Sequence, residues 1–106
     1  GVAEWPAAQM RSTAADLAKY LIALTPSAEP EAPRLMSDES LKEMFPADWT
    51  GSLAWWGKDA TYGNKQGGVF EHGGFMQGVR THAYLWPQKR AGIVILTNGE
   101  GPYEGL

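Results

Sequence analysis

Val79-Arg80-Thr81-His82-Ala83-Tyr84-Leu85-Trp86, then Pro87-Gln88-Lys89-Arg90, then Ala91-Gly92-Ile93-Val94-Ile95-Leu96-Thr97, is the stretch that decides the fold. Its first part has a period of two. Val79, Thr81, Ala83 and Leu85 fall on one face and Arg80, His82, Tyr84 and Trp86 on the other, which predicts a strand with two decorated faces. Proline early in Pro87-Gln88-Lys89-Arg90 predicts a turn, and Ala91–Thr97 reads as a nearly all-apolar strand ended by Asn98-Gly99. Together these predict an antiparallel hairpin. Upstream, Gly68-Val69-Phe70-Glu71-His72 predicts another strand, broken by Gly73-Gly74, and Leu53-Ala54-Trp55-Trp56 one more. The expected sheet is an antiparallel meander of three to four strands.

The front of the chain has a different grammar. Ten of the fourteen alanines fall in residues 1–50, and twelve of the thirteen glycines in 51–106. Ser12 or Thr13 can cap a helix, with Asp16 at the capping-box position near the positive helix end. Leu17, Tyr20, Leu21 and Leu24 follow at helical spacing as one apolar stripe, and Pro26 ends it. A shorter helix is expected after a Ser37 cap, with Leu41, Met44 and Phe45 as its buried face and Pro46 as its stop. Between them, Pro26-Ser27-Ala28-Glu29-Pro30-Glu31-Ala32-Pro33 is too proline-rich for a regular helix and is expected to be a loop. The fold class is therefore α+β, a single unit over 1–106, helical in 1–50 and strand-rich in 51–106.

Composition narrows the function. With 106 residues, 43% hydrophobic and 20% charged, the chain has the mix of one packed domain rather than of a disordered or fibrous segment. The net charge is −3 and Lys89-Arg90 is the sole adjacent basic pair, so a phosphate-neutralising stripe is missing and nucleic acid is not an expected partner. Zero cysteines exclude disulfides, thiolate metal sites and cysteine nucleophiles. Apolar runs such as Ile93-Val94-Ile95-Leu96 are far short of the roughly 18 residues a spanning helix needs. Gly1-Val2-Ala3-Glu4-Trp5-Pro6 has neither the basic start nor the apolar middle of a secretory signal.

No self-contained catalytic set stands out. No serine sits in a Gly-x-Ser-x-Gly elbow, and none of Ser12, Ser27, Ser37, Ser40 or Ser52 has a lysine three residues later. P-loop and dinucleotide fingerprints are missing, so no cofactor is expected. His72, His82 and Glu71 meet no recognised metal-ligand spacing, and no metal is assigned. The informative segment is Glu71-His72-Gly73-Gly74-Phe75-Met76-Gln77-Gly78, where glycines let a substrate chain lie against a strand edge or let free N–H groups hold an oxyanion. Its alternative reading is a wide hairpin turn whose glycines only supply positive φ.

Four stretches in their order resemble the C-terminal part of the serine β-lactamase and penicillin-binding family. They are Met10 to Leu21, Phe70-Glu71-His72-Gly73-Gly74, Gly78-Val79-Arg80-Thr81-His82, and Ala91 to Asn98. The resemblance is to the class C-like branch, which also holds esterases and D-amino-acid peptidases. It implies an incomplete part of the β-lactamase/transpeptidase-like fold and hydrolysis of an ester, amide or lactam through an acyl-enzyme. Of the family's three motifs, Ser-x-x-Lys, Tyr-x-Asn and Lys-Thr-Gly or its His-x-Gly variant, the third alone is matched, by His72-Gly73-Gly74. His72 would then stand for the cationic residue, Gly73 for the threonine and Gly74 for the small residue beside the substrate, while Phe75 would lend its N–H to the oxyanion hole. Missing the threonine hydroxyl points away from penicillin hydrolysis and towards an esterase or peptidase.

The resemblance further implies a missing N-terminal part of the same protein, a small-molecule or peptide substrate, inactivity of this chain alone, and an extracytoplasmic location. It also implies a bare sheet face open to self-association, because family members continue past the equivalent of Leu106 into a covering helix. Tyr62-Gly63-Asn64 spells Tyr-x-Asn but stands too close to the third motif, and is expected to be an ordinary turn. A different reading is a non-catalytic binding module. Arg80, Tyr84 and Trp86 would then form an aromatic strand face for a sugar or peptide, against the plainer expectation that the five tryptophans fill a small core.

Overall fold

A computed structural model of the chain describes residues 10–27, 29, 31–62 and 65–101. The elements run α1 (Ala14–Ala23), α2 (Asp38–Met44), β1 (Trp56–Tyr62), β2 (Lys65–Met76), β3 (Val79–Trp86), a short 3-10 turn (Pro87–Lys89) and β4 (Ala91–Thr97). The four strands form one antiparallel sheet in the order β1-β2-β3-β4, so the fold is α+β and the meander has its fourth strand.

Both helices start as their caps require. The Thr13 hydroxyl accepts from the Asp16 N–H at 3.1 Å, and the Ser37 hydroxyl accepts from the Ser40 N–H at 3.2 Å. Thr13 is thus the cap of α1. Its box is incomplete, because the Asp16 carboxylate accepts from the Thr13 hydroxyl at 2.9 Å. The Lys19 ammonium first and the Thr13 hydroxyl second hold the Asp16 carboxyl below its usual range. Thr13→Ala is expected to destabilise the protein by about 1 kcal/mol, seen as a lower midpoint of helical circular dichroism on urea unfolding, with an unchanged slope.

The core sits between the helices and one sheet face. Leu21 of α1 and its C-cap Leu24, Leu41 of α2 and its C-cap Phe45, Trp55, Phe70 of β2 and Leu85 of β3 bury one another, with Met36, Met44, Trp49, Ala83 and Val94 around them. The Phe45 ring meets Phe70 at 4.9 Å and Trp55 at 5.8 Å, both edge-on. Within the predicted stripe of α1, Leu21 and Leu24 are buried and Leu17 half-buried, while Tyr20 is exposed. Trp55 fills core, Trp49 and Trp86 are half-buried and Trp56 is exposed, so the tryptophans divide between interior and surface. Exposed apolar side chains occur on both sheet faces, Ile93, Trp56 and Phe75 on one, Val79 and Leu96 on the other. No helix among the described residues is long and apolar enough to cross a membrane.

Two expectations about strands are corrected. β2 is not broken at Gly73-Gly74 but continues through them to Met76, because both glycines keep their pairing, Gly73 with His82 and Gly74 with Thr81. Neither takes a positive φ, which among β2, β3 and the turn between them belongs to Gly78 alone, at 77°. The glycines answer cross-strand crowding instead. A side chain at Gly74 would come within 2.6 Å of the Thr81 hydroxyl, and one at Gly73 within 3.3 Å of the His82 ring. The second correction concerns Leu53-Ala54-Trp55-Trp56. β1 begins only at Trp56, since Ala54 takes a left-handed φ of 61° and the Leu53 N–H donates to the Met44 carbonyl at 3.3 Å. Of Tyr62-Gly63-Asn64, the tyrosine ends β1 opposite Lys65, and Gly63 and Asn64 lie outside the described residues.

Candidate functional site

The register of β2 decides which of its backbone groups are free. Met76 and Val79 are the last pair of the β2–β3 ladder, with Gln77 and Gly78 between them. Those two neighbours cannot bond each other, so Met76 and Val79 must exchange both hydrogen bonds themselves. Alternation then makes Gly74 with Thr81 and His72 with Ala83 bonded pairs also. Gly73 and Phe75 consequently turn their N–H and C=O groups to the opposite edge.

The other hairpin agrees. Tyr62 pairs with Lys65 across two residues, so Lys65, Val69 and Glu71 bond towards β1. That ladder ends at Trp56 and Glu71. Beyond it, Gly73 and Phe75 continue to point to the same side, where no strand among the described residues meets them. Gly74 and Phe75 are exposed and Gly73 is half-buried.

His72 stands at the start of the open edge. Alternation puts it on the helix-facing side of the sheet with Phe70, but α1 and α2 stop short of it and it remains exposed. Its ring lies 6.0 Å from Trp55, edge-on, and 5.3 Å from Trp56, tilted. An imidazole so placed can give or accept a proton at the mouth of the edge.

The reverse face carries the other sequence candidates. Lys58 Nζ lies 2.5 Å and His82 Nε2 lies 3.5 Å from Glu71 Oε2. His82 stacks on Tyr84 at 4.4 Å, Tyr84 lies 6.2 Å from Trp86, and Lys58 stands 5.8 Å over the Tyr84 ring. The Arg80 guanidinium sits 4.0 Å over the Phe75 ring. His72 and His82 are thus on opposite sheet faces, and Glu71 meets only the latter.

Together the structure brings His72, Gly73, Gly74 and Phe75 onto one open strand edge, with Thr81 beside Gly74. Sequence reasoning missed Trp56 as a neighbour of His72 and Arg80 as the partner of Phe75. The Arg80 pairing had a signal, because counting back from a two-residue turn at Gln77-Gly78 sets Phe75 opposite Arg80. No match is found among curated proteins or among solved structures. The sequence model of the Beta-lactamase family, by contrast, matches residues 1–105. Over nearly its whole length, then, the chain belongs to the β-lactamase family of serine hydrolases.

Proposed function

We propose that this chain supplies one wall of an acyl-transfer site, and that the nucleophile and its base lie outside these 106 residues. In this reading the chain is part of a larger hydrolase that cleaves an ester, amide or lactam through an acyl-enzyme. The observation that carries the reading is the edge of β2 beyond β1, unpaired among the described residues, where Gly73 and Phe75 direct backbone N–H groups outward beside an exposed His72. Outward N–H groups stabilise charge that develops on a carbonyl oxygen, and they cost no reorganisation because the strand already holds them. Phe75 N–H is one oxyanion donor, and the residue bearing the nucleophile provides the other. Bare Gly73 and Gly74 let the scissile carbonyl approach the strand closely. His72 orients the substrate or passes a proton to the leaving group.

The missing hydroxyl at Gly73 favours esters or peptides over penicillins. The chain has no Ser-x-x-Lys, so the nucleophile must come from another segment. The direct test of the site is His72→Ala in the hydrolase that carries both walls, assayed with a chromogenic ester and a chromogenic cephalosporin. The expected result is a fall in kcat of about 10²-fold or more with little change in thermal midpoint, since His72 is exposed and outside the core. Full activity of the variant would remove His72 from the site.

A further inference from the structure

The Gly74 carbonyl and the Phe75 N–H belong to one peptide group, so whatever donates to the carbonyl on the β3 side bears on the N–H at the outer edge. Gly74 and Thr81 are a bonded pair, and the Thr81 N–H therefore donates to the Gly74 carbonyl. The Thr81 hydroxyl reaches the same oxygen, at 3.5 Å. It has room there because residue 74 is a glycine, whose missing Cβ leaves the space beside that hydroxyl free.

The same arrangement recurs one strand further in. Arg80 stands opposite Thr97, and alternation from Thr81 turns the Arg80 carbonyl towards β4, where the Thr97 N–H meets it. The Thr97 hydroxyl is a second donor to that carbonyl, at 2.9 Å, and lies further, 3.4 Å, from the Gly99 carbonyl. The Arg80 carbonyl in turn shares its peptide group with the Thr81 N–H. A file of hydrogen-bonded peptide groups thus runs from Thr97 across β3 to the Phe75 N–H, and a threonine hydroxyl reinforces each of its two carbonyls.

The next file along the sheet gives the contrast. It ends at the Gly73 N–H and runs through the His72 and His82 carbonyls, which face Ala83 and Ile95, side chains without a hydroxyl. The two outward N–H groups of β2 are therefore unequal. Successive hydrogen bonds polarise one another, by about 10–30% per bond.

We infer that Thr81 and Thr97 are positioning residues that hold and polarise the Phe75 N–H, and so single it out from the Gly73 N–H as the donor to an oxyanion. This rests on the acyl-transfer reading of the same edge and adds residues that act on it from the two strands behind. An oxyanion donor is worth about 10²–10³-fold in kcat. Between a tenth and three tenths of that effect, on a logarithmic scale, is about twofold to eightfold for each hydroxyl.

The first measurement uses the 106-residue chain, labelled with ¹³C and ¹⁵N. Removing a donor from a carbonyl moves that carbon and the following amide nitrogen upfield. Thr81→Val should so move the Gly74 carbonyl and the Phe75 nitrogen. Thr97→Val should move the Arg80 carbonyl and the Thr81 nitrogen, and the Phe75 nitrogen by less. The Gly73 nitrogen should stay in place, and serine at either position should return most of each shift. Thr97 is exposed, so its variants carry the test alone if Thr81→Val fails to fold. The second measurement is made in the hydrolase that carries both walls, with a chromogenic ester. Either valine variant should lower kcat by about twofold to eightfold with KM unchanged, because the oxyanion exists only in the transition state, and serine should restore it. A Phe75 nitrogen that does not respond, or a Gly73 nitrogen that responds equally, overturns the inference whatever the rates do. Shifts as expected with kcat intact would mean that the polarised N–H serves no oxyanion, and the acyl-transfer reading would fall with the inference.

Discussion

The 106-residue chain alone is expected to leave a chromogenic ester and a chromogenic cephalosporin intact, and the same chain joined to a segment that supplies a Ser-x-x-Lys nucleophile is expected to cleave the ester. The size of the effect follows from how such sites work. Nucleophile, base and oxyanion donors act as one unit, and removal of the nucleophile alone costs about 10⁶-fold in kcat in the best-measured serine hydrolase. A wall without a nucleophile retains only binding and the residual electrostatic help of its N–H groups. Ester cleavage should therefore rise by several orders of magnitude on joining, with a burst of product that marks acyl-enzyme accumulation. Turnover by the chain alone at the joined rate would disprove the assignment, because no serine here has a lysine three residues on.

Phe70→Ala is expected to destabilise the protein by about 3–5 kcal/mol, most or all of the stability of a domain this small. Phe70 is 1% exposed and stands where both helices and the sheet meet, touching Phe45 edge-on at 4.9 Å. Truncation removes the ring's buried area and leaves a cavity that the flanking strands β1 and β3 cannot close without losing register. Because Phe70 lies two residues before His72 on β2, the same variant should also broaden the Gly73 and Phe75 amide signals. Urea unfolding followed by circular dichroism measures the loss, with Ile22→Ala as the control. Ile22 is exposed on α1, so its truncation is expected to change stability by no more than about 0.5 kcal/mol. A Phe70 variant as stable as that control would mean the core is not where these residues place it.

The caps at Thr13 and Ser37, the α1 stripe and the β3–β4 hairpin were all legible because each is a local signal: a polar cap, a fixed period, a turn flanked by alternation. The course of β2 through Gly73-Gly74 was not, because a glycine pair is written the same way whether it turns the chain or makes room for Thr81 and His82 across the sheet. The start of β1 was misplaced for a similar reason. Leu53-Ala54-Trp55-Trp56 has strand composition, but the bend at Ala54 aims Trp55 into the core, a tertiary demand that composition does not carry. Of the candidate site, the segment His72 to Phe75 could be named from its residues. That its edge is open could not, since this depends on where β1 ends.

The two hairpins also fix a parity. Which residues of β2 face outward is set by a count from Tyr62 and Lys65 at one end and from Met76 and Val79 at the other, and both counts agree on Gly73 and Phe75. One extra residue between Glu71 and Gly73 would set the two counts at odds, so that the strand could keep both hairpins only by forming a bulge there. Length changes in this region can then pass without a bulge only in even steps or at the tips of the turns, which makes the spacing between the two hairpins as much a part of the chemistry as the residues themselves.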